Sequence, residues 1–164
     1  MNRVNYRKDL LESTSYFNYD SYGNPSHAVS IFKDNSSLAE VYREEAAYTY
    51  NNVNNGSNWI IGQLSSVSTD YIRNGNTTSI DKEYHYFSNG ALEYDYIHKN
   101  SPLQIKQEYG YDSFGNLTSK TIKAENDPDI SSGNRIKTTT YNYFINGRFL
   151  DSVVDPLGNT ISLE

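Results

Sequence analysis

The chain has 164 residues, 36% of them hydrophobic, which is long and apolar enough for one domain with a core of its own. Its 14 Lys and Arg face 20 Asp and Glu, so a formal net charge of −6 with no basic cluster sets nucleic acid aside. With no cysteines, disulfides, thiolate metal sites and Cys nucleophiles are excluded, and no stretch is apolar for the length of a membrane span.

The opening MNRVNYRKDLLES lacks the apolar middle of a signal peptide, so the chain is expected to be either intracellular or cut from something larger, and Met1 opening mid-pattern favours the second. From there tyrosines recur two apart, which puts both rings on one face of a strand. Phe17 and Tyr19 form the first such pair, followed by a turn in YDSYGN at 19–24. A polar link at 33–40 (KDNSSLAE) follows, and the segment 41–50 reads as a strand in preference to a short helix over 38–45.

Tyr48 and Tyr50 open YTYNNVNNGSNWIIGQLSSV, an expanded hairpin in which Trp59, Ile60, Ile61 and Leu64 form the densest apolar cluster and are expected to anchor the packing. After the link RNGNTT at 73–78 come Tyr84 and Tyr86 with the turn YFSNGAL, then Tyr94 and Tyr96. Tyr109 and Tyr111 lead into YDSFGNL at 111–117, and beyond the link at 124–134 Tyr141 and Tyr143 lead into YFINGRF. A last unit, DPLGNT at 155–160, has Val154 in place of the tyrosine, and Leu163 and Glu164 look vector-derived.

A single rule covers these units. Asp accepts locally at the first turn position, as at Asp20, Asp112 and Asp155, and the glycine three residues on takes a positive φ: Gly23, Gly90, Gly115, Gly147 and Gly158. With the glycine as a bulge, Asp112 pairs with Asn116, Tyr111 faces Leu117 and Tyr109 faces Ser119. The same count sets Tyr86 against Leu92, Tyr84 against Tyr94 and Tyr143 against Phe149. One aromatic and one polar face result, in a single run of repeats at about 16–33, 45–72, 80–99, 105–124, 136–154 and, in part, 153–162. The expected fold is all-β, an array of antiparallel hairpins in a curved open sheet, with the links at the opposite rim from the tyrosine turns.

Chemistry finds little foothold. His27, His85 and His98 have no neighbours at metal-ligand spacing. Glu83, Glu93, Asp95 and Glu108 alternate with tyrosines and are expected on the polar face, which leaves no buried pair for acid-base catalysis. No phosphate loop or nucleophile elbow occurs, so no catalytic, cofactor or metal residue is assigned. A tyrosine-lined sheet is also suited to stacking on sugar rings, which makes glycan binding the alternative function.

YGYDSFGNLTS, YDSYGNP, VVDPLGNTIS and YTYNN…NWIIGQLSSV together resemble the YD repeats of bacterial Rhs proteins, insecticidal toxin-complex B and C components, wall-associated proteins and animal teneurins. The resemblance runs from about Tyr16 to Ile161. It implies a β-strip that builds a hollow shell, enclosing a C-terminal toxin or displaying it at a bacterial surface, and hence a secreted, non-enzymatic shell segment whose partners are the rest of the shell and its cargo. Phe87, Phe144 and Asn51 stand where the family has the Asp of YD. Bacterial members end the shell in a DPxG-type autoprotease motif, but Asp155, Pro156, Leu157 and Gly158 precede Asn159 and Thr160 as in an ordinary repeat turn. A cut piece of such a strip has raw edges and is expected to pair edge to edge with itself or to cap itself with its termini.

Overall fold

The computed structural model describes residues 2–7, 10–54, 59–124, 136–145 and 147–163, with side chains from Leu10 onward. No helix occurs among them. Twelve strands form one antiparallel sheet that is not closed, each beside its sequence neighbour, and a separate two-stranded sheet is set between the fourth and fifth of them. The chain divides into two compact units, residues 1–82 and 83–164.

The first unit holds β1 (Asn2–Arg7), β2 (Leu10–Tyr19), β3 (Pro25–Asp34), β4 (Glu40–Tyr50), the short pair β5 (Val53–Asn54) and β6 (Trp59–Ile60), β7 (Leu64–Arg73), and most of β8 (Asn76–Tyr86). The segment after residue 40 is thus strand. Ala28 and Phe32 are its most buried apolar side chains, and the Phe32 ring stacks on its cross-strand partner Tyr42 at 4.1 Å. Beside them Thr14 and Ser30 hydroxyls meet at 2.9 Å, so even the polar members of the row are paired. No described side chain is fully buried, because a residue in a single sheet is covered mainly by its neighbours in the same layer. Asn74 and Gly75, both at positive φ (52° and 77°), close β7 onto β8 as a two-residue hairpin requires.

The second unit holds the end of β8 and then β9 (Leu92–Ile97), β10 (Ile105–Tyr111), β11 (Leu117–Lys123), β12 (Ile136–Tyr143), β13 (Leu150–Val154) and β14 (Thr160–Ser162). Its strand alternation puts the turns 87–91, 112–116 and 144–149 at one rim. The turn 155–159 lies at the other rim, with the link 98–104. Most of the link at 124–134 lies outside the described residues.

The pairing rule needs three corrections. Tyr111 does face Leu117, but a bulge between Gly110 and Tyr111 sets Gly110 against Ser119 and Tyr109 against Lys120. Gly110 permits this, since a Cβ there would stand 2.5 Å from Ser119 Oγ. Tyr143 faces Leu150 and not Phe149. That turn closes one residue later, Phe144 N donating to Phe149 O at 3.0 Å. In the turn at Phe87 Asn89 Oδ1 accepts from Ala91 N and closure is at the fourth residue. Finally, His85 and not Tyr84 lies against Tyr94, ring on ring at 4.3 Å.

Candidate functional site: the tyrosine and turn rim

Three turns are built alike. In the first, Asp20 Oδ1 accepts from Tyr22 N (2.8 Å) and Asn24 N (2.9 Å), and Oδ2 accepts from Asn24 Nδ2 (3.0 Å). Asp112 repeats this with Phe114 N, Asn116 N and Asn116 Nδ2, each at 2.9 Å, and Asp155 with Leu157 N and the two nitrogens of Asn159. The Asn side-chain amides are the largest cause holding all three carboxyls below the usual range, backbone N–H groups adding to it. Gly23, Gly115 and Gly158 stand at φ 85°, 86° and 87°, with Gly90 at 87° and Gly147 at 64°. Asp155 therefore spends its carboxylate on the turn.

Adjacent hairpins are tied through these turns. Tyr50 Oη donates to Pro25 O (2.8 Å) and Tyr143 Oη to Leu117 O (3.1 Å), each acceptor being the residue just after the Asp-to-Asn turn of the preceding hairpin. Beside the first tie Asn52 Nδ2 donates to Asp20 Oδ2 (2.9 Å), and Asn52 Oδ1 accepts from Gly62 N (2.8 Å). Beside the second Asn116 Nδ2 donates to Gly147 O at 2.7 Å. The tyrosine tips as hydrogen-bonding ties are missed by sequence reasoning that treats the rings as stacking surfaces alone. The recurrence of YxY one hairpin after D-x-x-G-N is the signal that could have found them.

The remaining tyrosines divide by position. Tyr19 is exposed and donates to Tyr16 O (3.2 Å). Tyr48 is half-buried, its phenol raised above its ordinary range by burial. Tyr84, Tyr86, Tyr109 and Tyr111 are likewise raised by burial, and Tyr111 meets Phe87 edge-on at 6.3 Å. Tyr141 faces Val153 across the ladder and Leu92 opens β9, both half-buried. Phe149 is exposed.

Asp95 departs from expectation. It is 4% exposed, not solvated on a polar face, and its carboxylate accepts from Tyr109 Oη (2.9 Å) and Gln107 Nε2 (3.1 Å). The β9–β10 register, with Gln107 opposite Asp95, puts Asp95 on the same face as Tyr109. On the opposite face Glu83 Oε1 takes both His85 Nε2 and Lys99 Nζ at 2.6 Å, and Glu108 lies between Lys106 (2.8 Å) and Lys123 (2.5 Å). Lys99 is the main cause holding the Glu83 carboxyl low, and Lys106 that for Glu108. His27 stacks on Phe17 at 5.7 Å, and His98 stands in the loop after β9 at φ 52°. Among the described residues no group of three His, Cys, Asp or Glu is placed to hold a metal.

Trp59 does not anchor the packing. It is 79% exposed, because β5 and β6 are two-residue strands in a sheet of their own. A groove of about 360 Å³ in the second unit runs between the turns 112–116 and 144–149 and is lined by Phe114, Thr118, Tyr141, Asn142 and Phe144 among others. Phe114 at its lip is 69% exposed.

Compared with known families and curated proteins, the chain matches no family model and no curated sequence.

Proposed function

We propose that the chain is a non-enzymatic structural segment: a run of hairpin scaffold belonging to the shell of a larger secreted or surface protein that encloses or displays a C-terminal toxin domain. The resemblance to YD repeats supplies the shell and its cargo. What supports the scaffold role is the repeated tie from tyrosine hydroxyl to the preceding turn, Tyr50 to Pro25 and Tyr143 to Leu117, which commits tyrosine, Asp and Asn to holding hairpin against hairpin. A lone hairpin is marginal and repeat units are stabilised by their neighbours, so such ties serve architecture directly.

A second reading, glycan adhesion, draws on the groove at Phe114, where an exposed ring stands beside Thr118 and Asn142. Glycan-array binding by the 164-residue chain, alongside Phe114→Ala, separates the two. Scaffold predicts signals at background for both proteins. Saturable binding by the parent chain that Phe114→Ala abolishes would replace the scaffold reading with adhesion.

A further inference from the structure

In the first unit, on the face of the sheet turned away from Phe32 and Tyr42, the cross-strand ladders line up two rows of side chains: Phe17, His27, Ala47 and Ser68, and beside them Val29, Glu45 and Asp70. Ala47 puts only a methyl between larger neighbours. A groove of about 210 Å³ opens there, with Val29 and Ala47 in its lining and the stacked rings of Phe17 and His27 as a wall. All four strands, β2, β3, β4 and β7, are interior to the sheet, each with a hydrogen-bonded neighbour on both sides. Glu45 and Asp70 are direct cross-strand partners, an arrangement in which like charges repel. Arg43 reaches Glu45 at 3.2 Å but is shared with Glu40 at 2.8 Å, and Asp70 takes the Ser79 hydroxyl at 2.6 Å. Ser68 Oγ donates to Asp81 at 2.6 Å, which adds a third carboxylate beside the groove and leaves the Ser68 oxygen to accept. Two carboxylates on an open face would ordinarily be met by water; these adjoin an apolar floor and an aromatic wall.

We propose that this groove binds a short primary alkylammonium ion. An ammonium group has three donors and no acceptor, which matches Glu45, Asp70 and the Ser68 oxygen, and its charge relieves the repulsion between the two carboxylates. The alkyl stem lies against Val29, Ala47 and the Phe17–His27 wall, where it leaves water. An organic cation fits better than a metal ion, because among the described residues no three His, Cys, Asp or Glu groups are placed to hold one. The site is shallow, Ala47 and Ser68 being exposed, so binding is weak, with a Kd on the order of millimolar. Such binding goes beyond the scaffold reading and does not rest on it.

NMR of the isotope-labelled 164-residue chain during titration with n-pentylammonium chloride tests the site. Saturable amide shifts are expected at Val29, Glu45, Ala47, Ser68 and Asp70, with no comparable response to sodium chloride at the same ionic strength or to n-pentanol. Glu45→Gln and Asp70→Asn should each weaken binding about tenfold. Ala47→Leu, which fills the groove and keeps both carboxylates, should abolish it with circular dichroism unchanged, whereas Glu44→Gln, on the opposite face beside Tyr71, should bind as the parent does. Shifts that never saturate, that sodium chloride or pentanol reproduces, or that persist at full affinity in Ala47→Leu and Glu45→Gln would overturn the proposal.

Discussion

A carboxylate that is 4% exposed and takes hydrogen bonds from Tyr109 and Gln107 is costly to remove, because both donors are then stranded. Asp95→Ala is expected to lower unfolding free energy by about 1–3 kcal/mol, whereas Asp95→Asn, which keeps an acceptor, should lose clearly less; urea titration of both variants checks this. The turn aspartates act through protonation. The folded-state pKa of Asp20, Asp112 and Asp155 is depressed, so their contribution is whole above the unfolded value of about 3.9 and is lost as pH falls through the folded values. Thermal midpoints should therefore hold above about pH 5 and drop below about pH 4, and replacing all three by Asn should flatten the drop. A midpoint that rises on acidification would contradict the turn-acceptor role. The Asp-to-turn geometry is legible in the sequence because Asp, Asn and Gly sit within five residues of one another. The burial of Asp95 is not, since it depends on the register of β9 against β10, which sets Asp95 opposite Gln107 and on the face of Tyr109.

At the scale of the hairpin, the turns differ in what surrounds their glycines. A Cβ on Gly23 meets nothing within 4 Å, so Gly23→Ala bears only the cost of a left-handed residue, about 1–2 kcal/mol. On Gly147 the same atom would stand 2.6 Å from Phe114 Cδ2 of the neighbouring turn. Gly147→Ala should thus be the more destabilising, and adding Phe114→Ala should recover the difference between the two sites but not the backbone part; equal losses at both would refute the turn-to-turn packing. Turn positions follow from local chemistry, but the register beyond them does not. The bulge at Gly110 rests on steric room, the turn after Phe144 closes late at Phe149, and each moves the facing tyrosine by one place. Trp59 shows the same limit, because an apolar cluster in sequence need not share a layer when its strands are two residues long.

Across the whole molecule, each strand lies beside its sequence neighbour, with only β5 and β6 set aside, so cohesion passes from one hairpin to the next. The all-β class and open antiparallel sheet are readable from the period-two tyrosines and the regular turns. The lateral ties are not, because they join residues 25 or 26 positions apart through side-chain tips. Native-state hydrogen exchange on Tyr143→Phe tests these ties most directly, since the substitution removes one hydroxyl and leaves the ring in place. If hairpins hold one another, amide exchange should quicken in the neighbouring turn, at Phe114, Gly115 and Asn116, as well as in the β12–β13 hairpin that carries the change. Exchange that quickens only within β12–β13, or not at all, would contradict the account.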